Sequence, residues 1–326
     1  MRHRSSTPIL HAAWTAAAMF LVRASLLANC GSATCPMDPQ SLNVPLPRQF
    51  TLDFSFQYID QDQVRIGTHK GFVGEVPSTH DEIRTVNRGI GFLANYAISD
   101  QLVLSAFVPF VSRYHEHIEE ESAQLETWHF SDLGDVAVSG RYRLGTKLWT
   151  TLSVKFPTGA RRPENSEAEA AEVTLAPGSG SIDVFGGFVF QTQLPVPSLS
   201  HGLLGNASVM PFFAGATYRR NGSGTESYRM GDELLVNAGL NYPLFTKLQL
   251  IAQVNADFRG KDDVGDTDED PNHTGRTSIF ISPGLRVGLP GGIAAYWVVQ
   301  IPVYQRVNGI QLTARQNLLG GIQARF

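Results

Sequence analysis

Charge is scarce in this chain. Asp, Glu, Lys and Arg make up 17% of its 326 residues, against roughly 25% in an average soluble domain. Long apolar runs are missing too. After the first thirty residues no uninterrupted apolar stretch reaches the roughly 20 residues that a membrane-spanning helix needs. Any crossing of a bilayer must then be made by a closed barrel, because only helices and barrels satisfy every backbone group inside lipid. Basic clusters are absent, and the formal net charge is −4 with an isoelectric point of about 6.1. That excludes a nucleic-acid partner held through phosphates. There is no Gly-x-Ser-x-Gly turn and no Cys-x-x-Cys-His for covalent haem. No catalytic residue, metal ligand set or cofactor is assigned.

Cysteine is limited to Cys30 and Cys35. They follow an export signal: Arg2 and Arg4 make a basic start, Ile9 to Val22 an apolar segment too short to span, and Val22-Arg23-Ala24 a small-residue cleavage pattern. The expected division is a signal peptide over 1–24, a periplasmic lead segment over 25–47 and a barrel over 48–326. In an exported chain Cys30 and Cys35 are disulfide candidates. A lipid anchor on Cys30 is the alternative, with Asn29 standing where Gly or Ala is expected. Pro36, Pro39, Pro45 and Pro47 keep the lead segment free of strands.

What the chain has is alternation. Gly (31) and Phe (19) are abundant, yet mean hydropathy is only −0.10. Phe50, Leu52, Phe54, Phe56 and Tyr58 alternate with Thr51, Asp53, Ser55 and Gln57. Leu248, Leu250, Ala252, Val254, Ala256 and Phe258 alternate in the same way with Gln249, Ile251, Gln253, Asn255 and Asp257. Period two is an extended strand with one apolar and one wet face. The pattern predicts twelve strands, at 49–58, 83–98, 102–115, 132–144, 148–158, 179–193, 205–219, 231–242, 248–260, 276–289, 292–304 and 311–326. Globular strands average roughly five or six residues, whereas a tilted membrane strand needs about 9–11.

Connections alternate as well. Turns at 99–101, 145–147, 243–247 and 290–291 are short, while 59–82, 116–131, 159–178, 220–230 and 261–275 are long and polar. Outer-membrane barrels have short periplasmic turns and long external loops. The exceptions are the Pro-rich stretch 194–204 and the short loop at 305–310. Phe326 ends an alternating strand with Ala324, Ile322, Gly320 and Leu318 on its face; it is the expected assembly signal read by the barrel-assembly machinery. The fold class is thus all-β: a transmembrane up-and-down antiparallel barrel.

Parity points Asp53, Asp135, Arg141, Arg143, Lys155, Asp183, Asp257, Arg259, Arg286, Arg315 and Arg325 into the lumen. A lipid-facing charge at midplane would cost about 2–4 kcal/mol. These groups either select what passes or brace the interior. The acidic run Asp262 to Asp270 offers carboxylates to a hard cation but lacks the spacing of a twelve-residue calcium loop; it reads as a solvated loop. His115 and His117 share a face without a third ligand.

Three motifs carry a family resemblance: Ser131-Asp132-Leu133-Gly134-Asp135-Val136 with Arg141-Tyr142-Arg143-Leu144, then Lys155-Phe156-Pro157-Thr158-Gly159, then Pro177-Gly178-Ser179-Gly180-Ser181-Ile182-Asp183. Together they resemble the family named for the MetA pathway of phenol degradation. The resemblance implies an outer-membrane barrel of transporter type that moves small, aromatic or apolar molecules, with no agreed site residues to carry over. The expected function is a channel or transport component for small organic solutes, with membrane lipid and solute as partners. The alternatives are a structural surface barrel with acidic external loops and an outer-membrane hydrolase. A hydrolase would need a His and a Ser within reach of each other near the external rim.

Overall fold

The computed structural model describes residues 48–76, 81–118, 124–196 and 209–326. The expected signal segment, Cys30, Cys35 and the proline-rich lead lie outside these. Fourteen strand segments follow in order: β1 (Phe50–Ile66), β2 (His69–Lys70), β3 (Asp81–Ala97), β4 (Leu102–Ile118), β5 (Leu125–Leu133), β6 (Ala137–Leu144), β7 (Leu148–Lys155), β8 (Asp183–Pro195), β9 (Val209–Arg220), β10 (Glu233–Pro243), β11 (Leu248–Arg259), β12 (Arg276–Gly288), β13 (Ile293–Val307) and β14 (Ile310–Arg325). Neighbours pair antiparallel, and β14 pairs back onto β1 from Thr51–Arg325 to Ile66–Ile310. The two-residue β2 is a flap on β1. Both β5 and β6 pair with β4 and share one stave. The sheet is therefore a closed twelve-stave barrel with no free edge.

Alternation sets which face is which. Val254 is 50% exposed between Gln253 at 5% and Asn255 at 0%. Phe54, Phe92, Leu152, Phe188, Trp297 and Ile322 are likewise exposed around the wall. A water-soluble monomer rarely leaves more than a few hundred Å² of contiguous apolar surface uncovered; here the belt surrounds the barrel, and lipid covers it. Val254→Lys, midway along β11, should destabilise the folded barrel in lipid vesicles by about 2–4 kcal/mol. Denaturant titration reads the loss. An unchanged midpoint would mean that this face does not meet hydrocarbon.

Several strands outrun their expected ends on the loop side. The connection expected over 116–131 is mostly strand: β4 and β5 pair from Ile118–Leu125 to Phe110–Leu133. Polar residues there alternate too, but with charged side chains, so hydropathy alone ended the strand early. β1 similarly continues to Ile66.

One lumen expectation is corrected. Arg315 is on the exterior rim, its side chain 68% exposed and paired with Asp62 at 3.1 Å. Register shifts between Ile59 and Gln61: Asn317 pairs with Ile59, but Ala314 pairs with Gln61. A second shift between Gln61 and Gln63 restores the register at Thr313, so the irregularity is local, and it lies at Arg315. At the other end Phe326 exchanges both backbone hydrogen bonds with Phe50 and packs its ring 6.3 Å from that of Phe50.

The stave made of β5 and β6 is broken at Gly134-Asp135-Val136, and the following loop repairs the gap. Phe156 N–H donates to Val136 O (2.8 Å), Ala160 N–H to Leu133 O (3.1 Å) and Gly178 N–H to Ala160 O (2.7 Å). The three segments touch through glycine. A Cβ on Gly159 would meet backbone atoms of Gly134 and Gly178 at 2.8 Å, and one on Gly178 would meet Gly159 at 2.6 Å. Only residues without a side chain let these backbones approach so closely.

Candidate functional site

The turn end of the lumen is packed. Ala97, Val103, Trp149, Val189 and Phe213 form one apolar cluster, and Ile251, Tyr296, Val298 and Leu319 another across from it. Arg141 and Arg143 lie over the Trp149 ring, 5.2 and 5.6 Å from its centre, where a cation meets the negative ring face. An amide row runs across five staves, β10 to β14. Asn255 Nδ2 donates to Asn237 Oδ1 (2.7 Å), Ser282 Oγ to Asn255 Oδ1 (2.6 Å) and Asn317 Nδ2 to Gln300 Oε1 (2.6 Å). A wide aqueous pore would leave its wall side chains wetted; Asn255 and Gln300 are essentially fully buried.

Above this floor stands a charge ladder. Lys155 Nζ lies 2.6 Å from Asp135 and 3.0 Å from Asp183; Arg219 lies 2.8 Å from Asp183 and 3.8 Å from Glu233. Asp257 takes Arg276 at 2.9 Å, and Arg259 holds Asp262 at 2.6 Å. Asp183 also accepts from Ser181 Oγ (2.7 Å) and the Gly222 N–H (3.1 Å). Asp135 accepts from the Gly159 N–H, the Ser179 N–H and Ser179 Oγ, all near 3.0 Å. The three sequence motifs, far apart along the chain, meet here. Their glycines make the close backbone contact, and Asp135, Lys155, Ser179 and Asp183 make the ladder.

The ladder borders an internal cavity of about 410 Å³, within the roughly 300–1,000 Å³ of small-ligand sites. Leu93, Phe107, Val111, Phe185 and Met230 give its lining apolar surface, and Asp135, Lys155, Arg219, Asn221, Glu233 and Arg259 give it polar and charged surface.

A plug lies over it. The loop from 156 to 182 buries Ala171, Val173, Leu175 and Ala176, with Ala171 and Leu175 packed on Trp128 and Phe130 of β5. Arg113 of β4 holds it from within the barrel. Its Nε donates to Asn87 Oδ1 (2.6 Å) and its Nη1 to the carbonyls of Thr174 (3.2 Å) and Leu175. Sequence reasoning missed Arg113, although its parity with Val111 and His115 on β4 marks it as inward. Arg219 and Glu233 were missed for the same lack of a parity check at strand ends.

The carboxyl oxygens of Glu172 are buried in the plug. Burial raises the Glu172 pKa well above the usual carboxylate range, helped by Glu269 from the 260–275 loop and Glu82 from β3. His117 and Glu126, 3.2 Å apart, stand on the neighbouring β4–β5 hairpin. The folded value exceeds the unfolded one, so docking is strongest below the unfolded pKa of about 4.3 and weakens by about 1.4 kcal/mol per unit as pH rises toward the folded value. Protection factors of the amides across 163–176, corrected for the intrinsic base-catalysed exchange rate, should fall between pH 5 and 8 in the native protein and stay level in Glu172→Gln. The same slope in both proteins would assign the effect to another group.

The remaining expected lumen residues are placed as follows. Asp53 accepts from Tyr296 Oη (2.9 Å), and Arg286 donates to Gln323 (2.7 Å). Arg325 is exposed at the turn-end mouth. In the acidic loop Asp262 is buried, accepting from Tyr228 Oη (2.5 Å) and the Gly231 N–H (2.7 Å), so it organises loops rather than facing solvent. His115 and His117 form a row, with Thr85 Oγ1 2.8 Å from His115 Nδ1 and His115 Nε2 3.1 Å from His117 Nδ1. Thr85 and His115 are 2% and 0% exposed, beyond the reach of a substrate.

No family model matches the chain, and no curated protein matches it in sequence. Solved structures match in fold. An outer membrane channel from Pseudomonas putida F1 superposes with a TM-score of 0.63 over 89% of this chain and 100% of that one, at 15% identity. The translocator domain of the autotransporter NalP from Neisseria meningitidis gives 0.49 at 11% identity, covering 88% and 91%. A Pseudomonas aeruginosa FadL homologue gives 0.43 at 9% identity, covering 91% and 96%. The fold implied by the motif resemblance is the one found. Twelve closed staves, an apolar exterior and the first of these likenesses make this chain a bacterial outer-membrane β-barrel.

Proposed function

We propose that the barrel is a channel for small organic solutes, and that the 410 Å³ cavity is a station on their route. The carrying observation is a cavity lined by both apolar and charged side chains, inside a lumen whose turn end is packed. Such a barrel passes solute singly and slowly, through movement of the plug, and conducts ions poorly. The reading accords with the motif resemblance and with the solved structure described as an outer membrane channel. Proteoliposomes holding the barrel should take up small aromatic alcohols faster than protein-free liposomes, with no comparable gain for glucose. Equal rates with and without protein would remove the channel reading.

The filled turn end favours one alternative, a structural barrel that transports nothing. It predicts no uptake of any solute, even after the plug is released. Catalysis has less support, because the histidine row is sealed from solvent.

A further inference from the structure

On the outer wall of β1, β3, β4 and β5 the side chains change character at one rung. Phe56, Ile90, Phe110 and Leu133 pair in register and close the apolar belt. The next outward rung, about 7 Å further toward the loops, is Tyr58, Arg88, Ser112 and Ser131. Beyond it come Asp60, Val86, Tyr114 and His129. Hydrocarbon gives way to head groups here, and Tyr58 and Tyr114 stand where barrels carry their aromatic girdle. This is the end of the long connections, the external end of an outer-membrane barrel.

Asp60, Asp62 and Glu116 stand outward beyond the Arg88 rung, and each already has a partner. Asp60 accepts from Arg84 at 2.8 and 2.6 Å, Asp62 pairs with Arg315 at 3.1 Å, and Glu116 accepts from Tyr114 Oη at 2.7 Å. Arg88 is exposed, and no described residue gives its side chain a hydrogen bond or an ion pair. The hydroxyls of Ser112 and Ser131 beside it make no hydrogen bond among the described residues either. An arginine fork matches a phosphate bidentately, and each serine adds one O–H donor. Adjacent strands lie about 4.8 Å apart, so the row from Arg88 to Ser131 spans about 10 Å. A lone phosphate covers only part of that row. A phosphate carried on a sugar covers it all, with apolar chains to lie on the belt below.

We infer that this face binds a phosphorylated glycolipid of the outer leaflet. Its phosphate sits at Arg88 and Ser112, a sugar hydroxyl at Ser131, and its acyl chains on Ile90, Phe92 and Phe110. The inference goes beyond the channel reading and does not depend on it.

Native mass spectrometry of the detergent-solubilised full chain tests it, by titration with diphosphoryl lipid A, the same lipid dephosphorylated, and phosphatidylglycerol. Diphosphoryl lipid A should bind about tenfold more tightly than either, the worth of one hydrogen bond from a charged donor. Arg88→Gln should abolish that preference, and Ser131→Ala should lower it about threefold. Arg306→Gln deletes an exposed charge on β13, away from this rung, and should leave the preference within twofold. Heat-modified gel mobility reports folding. Should Arg88→Gln fail to fold, Arg88→Lys decides, since it keeps the charge without the fork and should lose part of the preference. Excess inorganic phosphate should not displace the lipid. Equal binding of lipid A and phosphatidylglycerol, a preference unchanged in the folded Arg88 variants, an equal loss in Arg306→Gln, or displacement by inorganic phosphate would each overturn the inference. Solute uptake by Arg88→Gln proteoliposomes should match the native rate, so failure of the channel reading and failure of this one are read separately.

Discussion

Replacing Asp183 by Ala is expected to cost the barrel about 3–5 kcal/mol, because it strands buried cations without their counter-charge. Asp183 is the joint of the ladder, within 3.0 Å of Lys155 and 2.8 Å of Arg219. It also closes two loop contacts, from Ser181 Oγ and the Gly222 N–H. Asp135 still faces Lys155 and Glu233 still faces Arg219, so the loss should fall toward the lower end of that range. Equilibrium denaturation in vesicles reads it. Adding Lys155→Met to the Asp183→Ala barrel takes the cation from Asp135 and should deepen the loss, though by less than Lys155→Met costs the native barrel, where it breaks two ion pairs. The two changes then combine non-additively, as contacting residues do. A loss below about 1 kcal/mol, the usual worth of an exposed pair, would show that water reaches the ladder and that the cavity is open to solvent.

Arg113→Ala should release the plug. Each hydrogen bond from a charged donor contributes roughly 1.5–3 kcal/mol, and Arg113 makes two such bonds to the carbonyls of Thr174 and Leu175. Losing about 3 kcal/mol of docking raises the undocked fraction about a hundredfold. Planar-bilayer recordings should show the native barrel nearly silent and Arg113→Ala with frequent openings. Solute uptake in proteoliposomes should rise with them. Deleting residues 163–175 should give the same gain without touching Arg113, which separates plug release from damage to the wall. The β4–β5 hairpin would be the wrong segment to remove, since it is part of the barrel. Silence in both variants would mean that the packed turn end, with Phe213 and Trp149, is the true barrier.

The sequence carried the wall. Alternation along β1 and β11 comes from hydrocarbon on one side and the lumen on the other, a local effect that each residue feels through its own side chain. Strand number, parity and the sorting of short and long connections follow from it. Arg315 escaped because a local register irregularity leaves no mark in hydropathy, yet breaks the alternation of faces at that point. The β4–β5 hairpin escaped because outside the lipid a strand need not alternate apolar with polar.

What occupies the lumen was decided only by the tertiary structure. Gly134, Gly159 and Gly178 stand in three separate motifs in the sequence, and their mutual contact exists only once the barrel has closed. Asp135, Lys155 and Asp183 were legible as inward charges, but that they pair with one another and with Arg219 depends on staves meeting in register. The plug is further still from sequence: Arg113 and the Thr174 and Leu175 carbonyls are about sixty residues apart. Period two is written in neighbouring residues, whereas the cavity is enclosed by groups that closure alone brings within hydrogen-bonding distance.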